Sequence, residues 1–159
     1  MDRIDRALQT FREGFNCSQA IARAFGPSYG LEEDEALGIA AAFGGGIART
    51  GGTCGAVTGA MMIIGLAYGK RRADDKESVE RTNRLAAAFL DRFARRHYTV
   101  TCRELLGCDM STPEGLLFAK THDLREQLCA AFIKDAAGIL EELLSGEGES
   151  TPGNDPACT

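Results

Sequence analysis

Residues 50–69 read TGGTCGAVTGAMMIIGLAYG, twenty positions without a charge. A run of that length is enough to cross a bilayer as a helix. Six of the twenty are glycine, however, and Thr50, Thr53 and Thr58 add polarity. One weakly apolar span flanked by acidic helices makes a poor membrane segment. The stretch is therefore expected to be a buried core helix running from Thr53 to about Tyr68, with no membrane span. Gly51, Gly55 and Gly59 recur every four residues, as do Gly65 and Gly69. In a helix this spacing clears one face so that another backbone can approach closely. Each such glycine costs about 1 kcal/mol relative to alanine. Burial has to offset that loss, which places this helix at the centre of the fold.

On both sides of this stretch the apolar spacing is helical and no alternating strand appears. A first helix is expected over about 2–13, with Ile4, Ala7, Leu8 and Phe11 on one stripe. Asn16 is a cap for a second helix that ends at Gly26-Pro27. Glu32 to Glu35 crowd the start of a third, where acids complement the positive dipole end, and Gly44-Gly45-Gly46 break it after Phe43. A long helix follows over about 74–97. Thr101 opens a short one that stops at Gly107. Thr112, Pro113 and Glu114 start another, and the last runs over about 122–144. The expected fold is an all-α, single-domain helical bundle of six or seven helices over residues 1–144. From Ser145 the chain reads SGEGESTPGNDPACT, a polar tail of the disordered kind. No internal repeat and no second domain are seen.

The chain has 159 residues, enough for one real core. Basic residues number 18 against 23 acidic, net −5. This balance, with no Trp and 7% aromatics, argues against nucleic-acid binding. The opening MDRIDRALQT carries no basic start and apolar run, so a cytoplasmic setting with reduced thiols is expected. Hydrolase and nucleotide-binding signatures (GxSxG, HExxH, Walker A, GxGxxG) are missing.

The six cysteines are Cys17, Cys54, Cys102, Cys108, Cys129 and Cys158. No CxxC and no CxxCH is present, which argues against a thioredoxin-type pair, a zinc ribbon and covalent haem. Any site has to be assembled from distant helices. Asn16, Thr53 and Thr101 immediately precede Cys17, Cys54 and Cys102. If each is a cap, each sulfur falls in a first helical turn, where free N–H groups and the dipole favour the thiolate. Cys129 sits inside the last helix beside Leu128 and Phe132 and reads as a small buried hydrophobe. Cys158 reads as a bystander in the tail. His97 reads as a satisfied core or helix-end residue and His122 as a surface residue.

The ordered pattern Cys17, Cys54-Gly55-Ala56-Val57-Thr58-Gly59, Cys102, Cys129 resembles the C_GCAxxG_C_C family of redox-active proteins. The surroundings agree: NCSQA around Cys17, FGGGIARTGGTCGAVTGA around Cys54, TCRELLGCD around Cys102 and LCAAFIKDAAGILEELL around Cys129. The family name spells Gly-Cys-Ala, whereas this chain has Cys-Gly-Ala. The resemblance covers residues 3–144 and leaves Cys108 and Cys158 outside the pattern. It implies a small helical protein of anaerobic prokaryotes, encoded beside oxidoreductase or transporter genes. It also implies kinship with the iron–sulfur domain of split-Soret cytochromes.

Three chemistries follow as expectations. In the first, Cys17, Cys54, Cys102 and Cys129 ligate an iron–sulfur cluster for electron transfer, because thiolates suit such clusters. Gly45, Gly46 and Gly55 would let backbone approach the cluster, and Arg49 would supply positive charge. In the second, the same four thiols do metal-free disulfide chemistry, with three pairings open. In the third, zinc or a purely structural role takes their place. A redox partner protein and a homodimer are the expected partners.

Overall fold

Capping side chains set the helix ends in the computed structural model, which describes residues 1–147. Helix α1 (Arg3–Arg12) begins where the Asp2 side chain accepts from the Asp5 N–H. Helix α2 (Cys17–Phe25) begins at Asn16, in a reciprocal capping box with Gln19. Gly26–Tyr29 tightens into a 3-10 turn before α3 (Glu33–Ala40), and a second such turn, Ala41–Phe43, follows it. Helix α4 (Gly55–Tyr68) is the glycine-rich one, and α5 (Lys76–His97) is capped by Asp75. Helix α6 (Cys102–Leu106) is one short turn, and α7 (Pro113–Thr121) is capped by Thr112. A π-helical turn, Arg125–Cys129, then runs into α8 (Ala130–Glu147).

The fold is all-α, as expected. Eight helices stand among the described residues, against the six or seven expected, and both short helices read from the sequence, 102–106 and 113–121, are among them. Helix α8 also outruns its expected end. Leu143 and Leu144 are buried against the core, and the helix continues past them through Glu147. The rest of the expected tail, with Cys158, lies outside the described residues.

Helix α4 is central. It packs on α2, α5 and α8, while α1 packs on α2 and α8. Ala56, Val57, Ala60, Ile63 and Ile64 are buried on it. The glycine spacing has its predicted effect at two positions. A β-carbon on Gly59 would stand 3.0 Å from the Ile21 Cβ and the Ser18 carbonyl oxygen, and one on Gly55 would stand 3.0 Å from the Ser18 nitrogen. The backbone of α2 therefore lies directly on this face, carrying Cys17 toward the start of α4. Gly65 faces open space and plays no such part. Among the described residues no helix is long and apolar enough to cross a membrane.

Candidate redox centre

The chain reaches α4 through an unusual link. Gly45, Gly46, Ile47, Ala48 and Arg49 all have positive φ, between 51° and 73°. For residues with a Cβ this left-handed conformation costs roughly 1–2 kcal/mol each. Backbone hydrogen bonds hold the turn, with Ala48 N–H donating to Ala42 O and Gly52 N–H to Gly46 O, both at 2.8 Å. Beyond it the chain pairs briefly with the segment after α5. Thr53 and Thr101 form an isolated antiparallel bridge. Cys54 N–H donates to Val100 O at 2.8 Å, and Cys102 N–H donates to Gly52 O at 2.7 Å. This short ladder fixes Cys54 and Cys102 beside each other although they are far apart in sequence.

The ladder also changes one expectation. Thr53 is taken up by the bridge, so Cys54 itself is the N-cap residue of α4. Thr101 occupies the N-cap position of α6 without a side-chain hydrogen bond. Only Asn16 caps through its side chain as expected, placing Cys17 at the first position of α2. Cys129 arrives from the opposite side as the last residue of the π-turn.

All four cysteines line one cavity of about 330 Å³. At ~30 Å³ per water this is room for roughly ten waters. Its remaining wall is largely apolar, with Phe11, Leu105, Leu106, Leu124 and Phe132 among the lining residues. A family model described as "Putative redox-active protein (C_GCAxxG_C_C)" matches residues 15–143. The chain belongs to the C_GCAxxG_C_C family. No curated protein and no solved structure matches it.

The four cysteines that carry the C_GCAxxG_C_C pattern are thus the four that share the cavity. Gly45 and Gly55 line it too, whereas Gly46 supports it from behind, packed against Cys102 and Gly52. Arg49 is exposed and does not line the cavity, because the left-handed turn carries it outward. Neither imidazole reaches it. His97 is mostly buried, with Nε2 2.9 Å from Asp135 Oδ2 and its ring against Phe93 and Phe132. His122 is exposed and stacks on Phe118. Cys108 is half-buried at the edge of the core and is not a lining residue.

The sulfurs do not have the acidity expected of helix N-termini. Burial pushes the Cys54 thiol up to about 11, outweighing the N–H groups of Ala56 and Val57 that favour its thiolate. Cys102 is pushed up to about 12, first by burial and then by neighbouring Cys54 and Cys129. Desolvation beats the helix end at both positions. Cys17 is also raised, first by its hydrogen bond to Cys129 and then by burial. Cys129, read from sequence as a bland hydrophobe, is the one held below the usual thiol range. The hydrogen bond from Cys17 is the largest cause, burial opposes it, and the positive charge of Arg125 assists. The pairing favours ionisation of Cys129 over Cys17.

Arg125 and the π-turn are the features that sequence reasoning missed. Arg125 lines the cavity, donates to Phe15 O at 2.7 Å and to Phe11 O, and lies over the Phe11 ring at 3.9 Å. π-Turns recur at functional sites. The only sequence signal was an arginine four residues before a cysteine on one helix.

The donor set can be tested for a metal. The five described cysteines are all free thiols. Among the described residues, no three Cys, His, Asp or Glu side chains come close enough together to hold a single metal ion. The four cysteines do line one pocket. Their chemistry fits an iron–sulfur cluster, which is held by four thiolates and spreads its ligands over more than one iron.

Proposed function

We propose that the protein is an electron carrier in which Cys17, Cys54, Cys102 and Cys129 hold an iron–sulfur cluster. The observation that carries this reading is the convergence of four thiols from four separate segments on one cavity. A largely apolar cleft carrying four thiols has the donor set that a thiolate-held cluster requires. Bound there, the cluster would supply one-electron transfer. The protein's own residues would supply the rest. The ladder at Thr53 and Thr101 fixes one pair of sulfurs, and Cys17 and Cys129 reach the same pocket from α2 and the π-turn. The leucine and phenylalanine wall limits water, and a drier site strengthens every charge interaction within it. A redox partner protein would deliver or remove the electron.

A second reading rests on the electrostatic pairing of Cys17 with Cys129, which raises the first thiol and lowers the second. Without metal, the Cys129 thiolate would attack one sulfur of a partner disulfide and expel the other as a thiolate. Cys17, as its thiolate, would then attack Cys129 in the mixed disulfide. The protein would gain one S–S bond, and the partner would take two electrons and become a dithiol. A single zinc ion draws less support, given the donor spacing.

Iron, acid-labile sulfide and zinc per chain, measured with an absorption spectrum on protein purified without oxygen, separate these readings. Iron with sulfide, lost in Cys54→Ser, is the expected result. Protein that carries no iron under those conditions, yet forms a Cys17–Cys129 disulfide in Cys54→Ser as in the parent, would replace the first reading with the second. Zinc alone at one per chain would overturn both.

A further inference from the structure

The segment bearing Cys17 and the segment bearing Cys129 meet through one side chain. Arg125 sits four residues before Cys129, at the start of the π-turn. Its guanidinium donates to Phe11 O, in the last turns of α1, and to Phe15 O, two residues before Cys17. The same group lies 3.9 Å over the Phe11 ring. Two carbonyls and a ring face therefore hold the cation in place beside the cavity. The other charged residues on the cavity wall are Lys120 and Asp123, one of each sign. Glu126, next in sequence, is turned to Arg12, which it meets at 2.6 Å. Glu126 also feels Arg125, but its hydrogen bond is spent on Arg12, so Arg12, Arg125 and Glu126 together leave one net positive charge on the Cys129 side of the cavity.

We infer that Arg125 is the positioning residue of the site: it ties the Cys17 segment to the Cys129 segment and biases the centre toward its reduced form. The inference rests on reading the cavity as a redox centre. The sign is the same for either chemistry. Reduction adds one electron to a cluster, or two electrons to a disulfide, whose sulfurs are negative until they take up protons. Both steps add negative charge next to a fixed cation, so removing the cation makes reduction harder. Arg125 is itself exposed, so solvent screens part of the effect. A change of about threefold in the reduction equilibrium constant is expected, smaller than a fully buried pair would give.

The test is a redox titration of the full-length protein and its Arg125→Gln and Arg125→Lys variants. The cluster absorption is followed if iron is present, and the dithiol–disulfide ratio in glutathione buffers if it is not. Circular dichroism checks that each variant is folded. The expected result is a lower potential in Arg125→Gln, largely restored in Arg125→Lys, which keeps the charge but loses the two-carbonyl grip. A purely packing role would leave the Lys variant no better than Gln. An unchanged potential in a folded, redox-active Arg125→Gln protein overturns this inference and leaves the redox reading standing. A parent protein with no reversible transition would sink the redox reading itself, and this inference with it.

Discussion

Replacing Gly46 by alanine tests the left-handed link that carries the chain into the candidate centre. Gly46 has φ +73° and is buried. A β-carbon there would stand 2.6 Å from the Gly52 nitrogen, 2.7 Å from the Gly52 oxygen and 2.7 Å from the Cys102 Cβ. Two of these three atoms are backbone and the third is the root of a side chain, so none can swing aside. The methyl therefore has to push the ladder apart at Cys102 N–H to Gly52 O. Overpacking of this kind costs about 1–3 kcal/mol, and the left-handed conformation adds about 1–2 kcal/mol for a residue with a Cβ.

Gly30→Ala separates the two contributions. Gly30 has φ +82° but nothing within 4 Å of its would-be β-carbon, so only the conformational cost applies. Urea unfolding of metal-free, reduced protein measures both. Domains are stable by about 5–15 kcal/mol, so both variants should fold. With a slope of about 2 kcal/mol per molar urea, Gly46→Ala should lose about 1–2.5 M in midpoint. Gly30→Ala should lose about half that or less. Equal losses would refute the claim that Gly46 is required for the approach of Cys102 and Gly52. The cavity thiols supply a second readout, because displacement of Cys102 should raise its alkylation rate in Gly46→Ala and not in Gly30→Ala.

Two further outcomes follow from the same structure. Asn16→Ala removes a cap whose side chain accepts from the Gln19 N–H at 2.9 Å. It should cost about 1 kcal/mol in urea unfolding, with Asn16→Asp recovering most of that loss because its carboxylate accepts the same hydrogen bond. The carboxyl of Glu33 is held below the usual range by hydrogen bonds from Arg23 and then Arg6. These pairs join α3 to α2 and α1. A carboxylate with a depressed folded-state pKa adds stability that is present above its unfolded value, about 4.3, and is lost as the pH falls through the folded value. The denaturation midpoint should therefore fall on acidification below about pH 4.3, and Glu33→Gln should lower the neutral-pH midpoint and flatten that acid limb.

The helices were legible because their signals are local. Asn16, the acids at 33–35, Gly44 and Pro113 each act within a turn of themselves, and the structure begins or ends helices at those places. The glycine face of α4 was legible for the same reason, although only contact with α2 shows which glycines use it. The roles at the centre were not legible, because they depend on partners far along the chain. Thr53 looks like a cap until Thr101 claims it for the bridge. Arg49 looks like the positive charge of the site until a run of five left-handed residues turns it outward. The thiols beside helix starts look acidic until burial is counted, and burial is a property of the whole fold. Cys129 lies in mid-sequence among apolar residues, and nothing local marks it. Its character comes from Cys17, more than a hundred residues earlier, and from an arginine whose guanidinium is anchored by the carbonyls of Phe11 and Phe15. Sequence spacing therefore names the four thiols of the cavity, while tertiary contacts decide which of them ionises most readily.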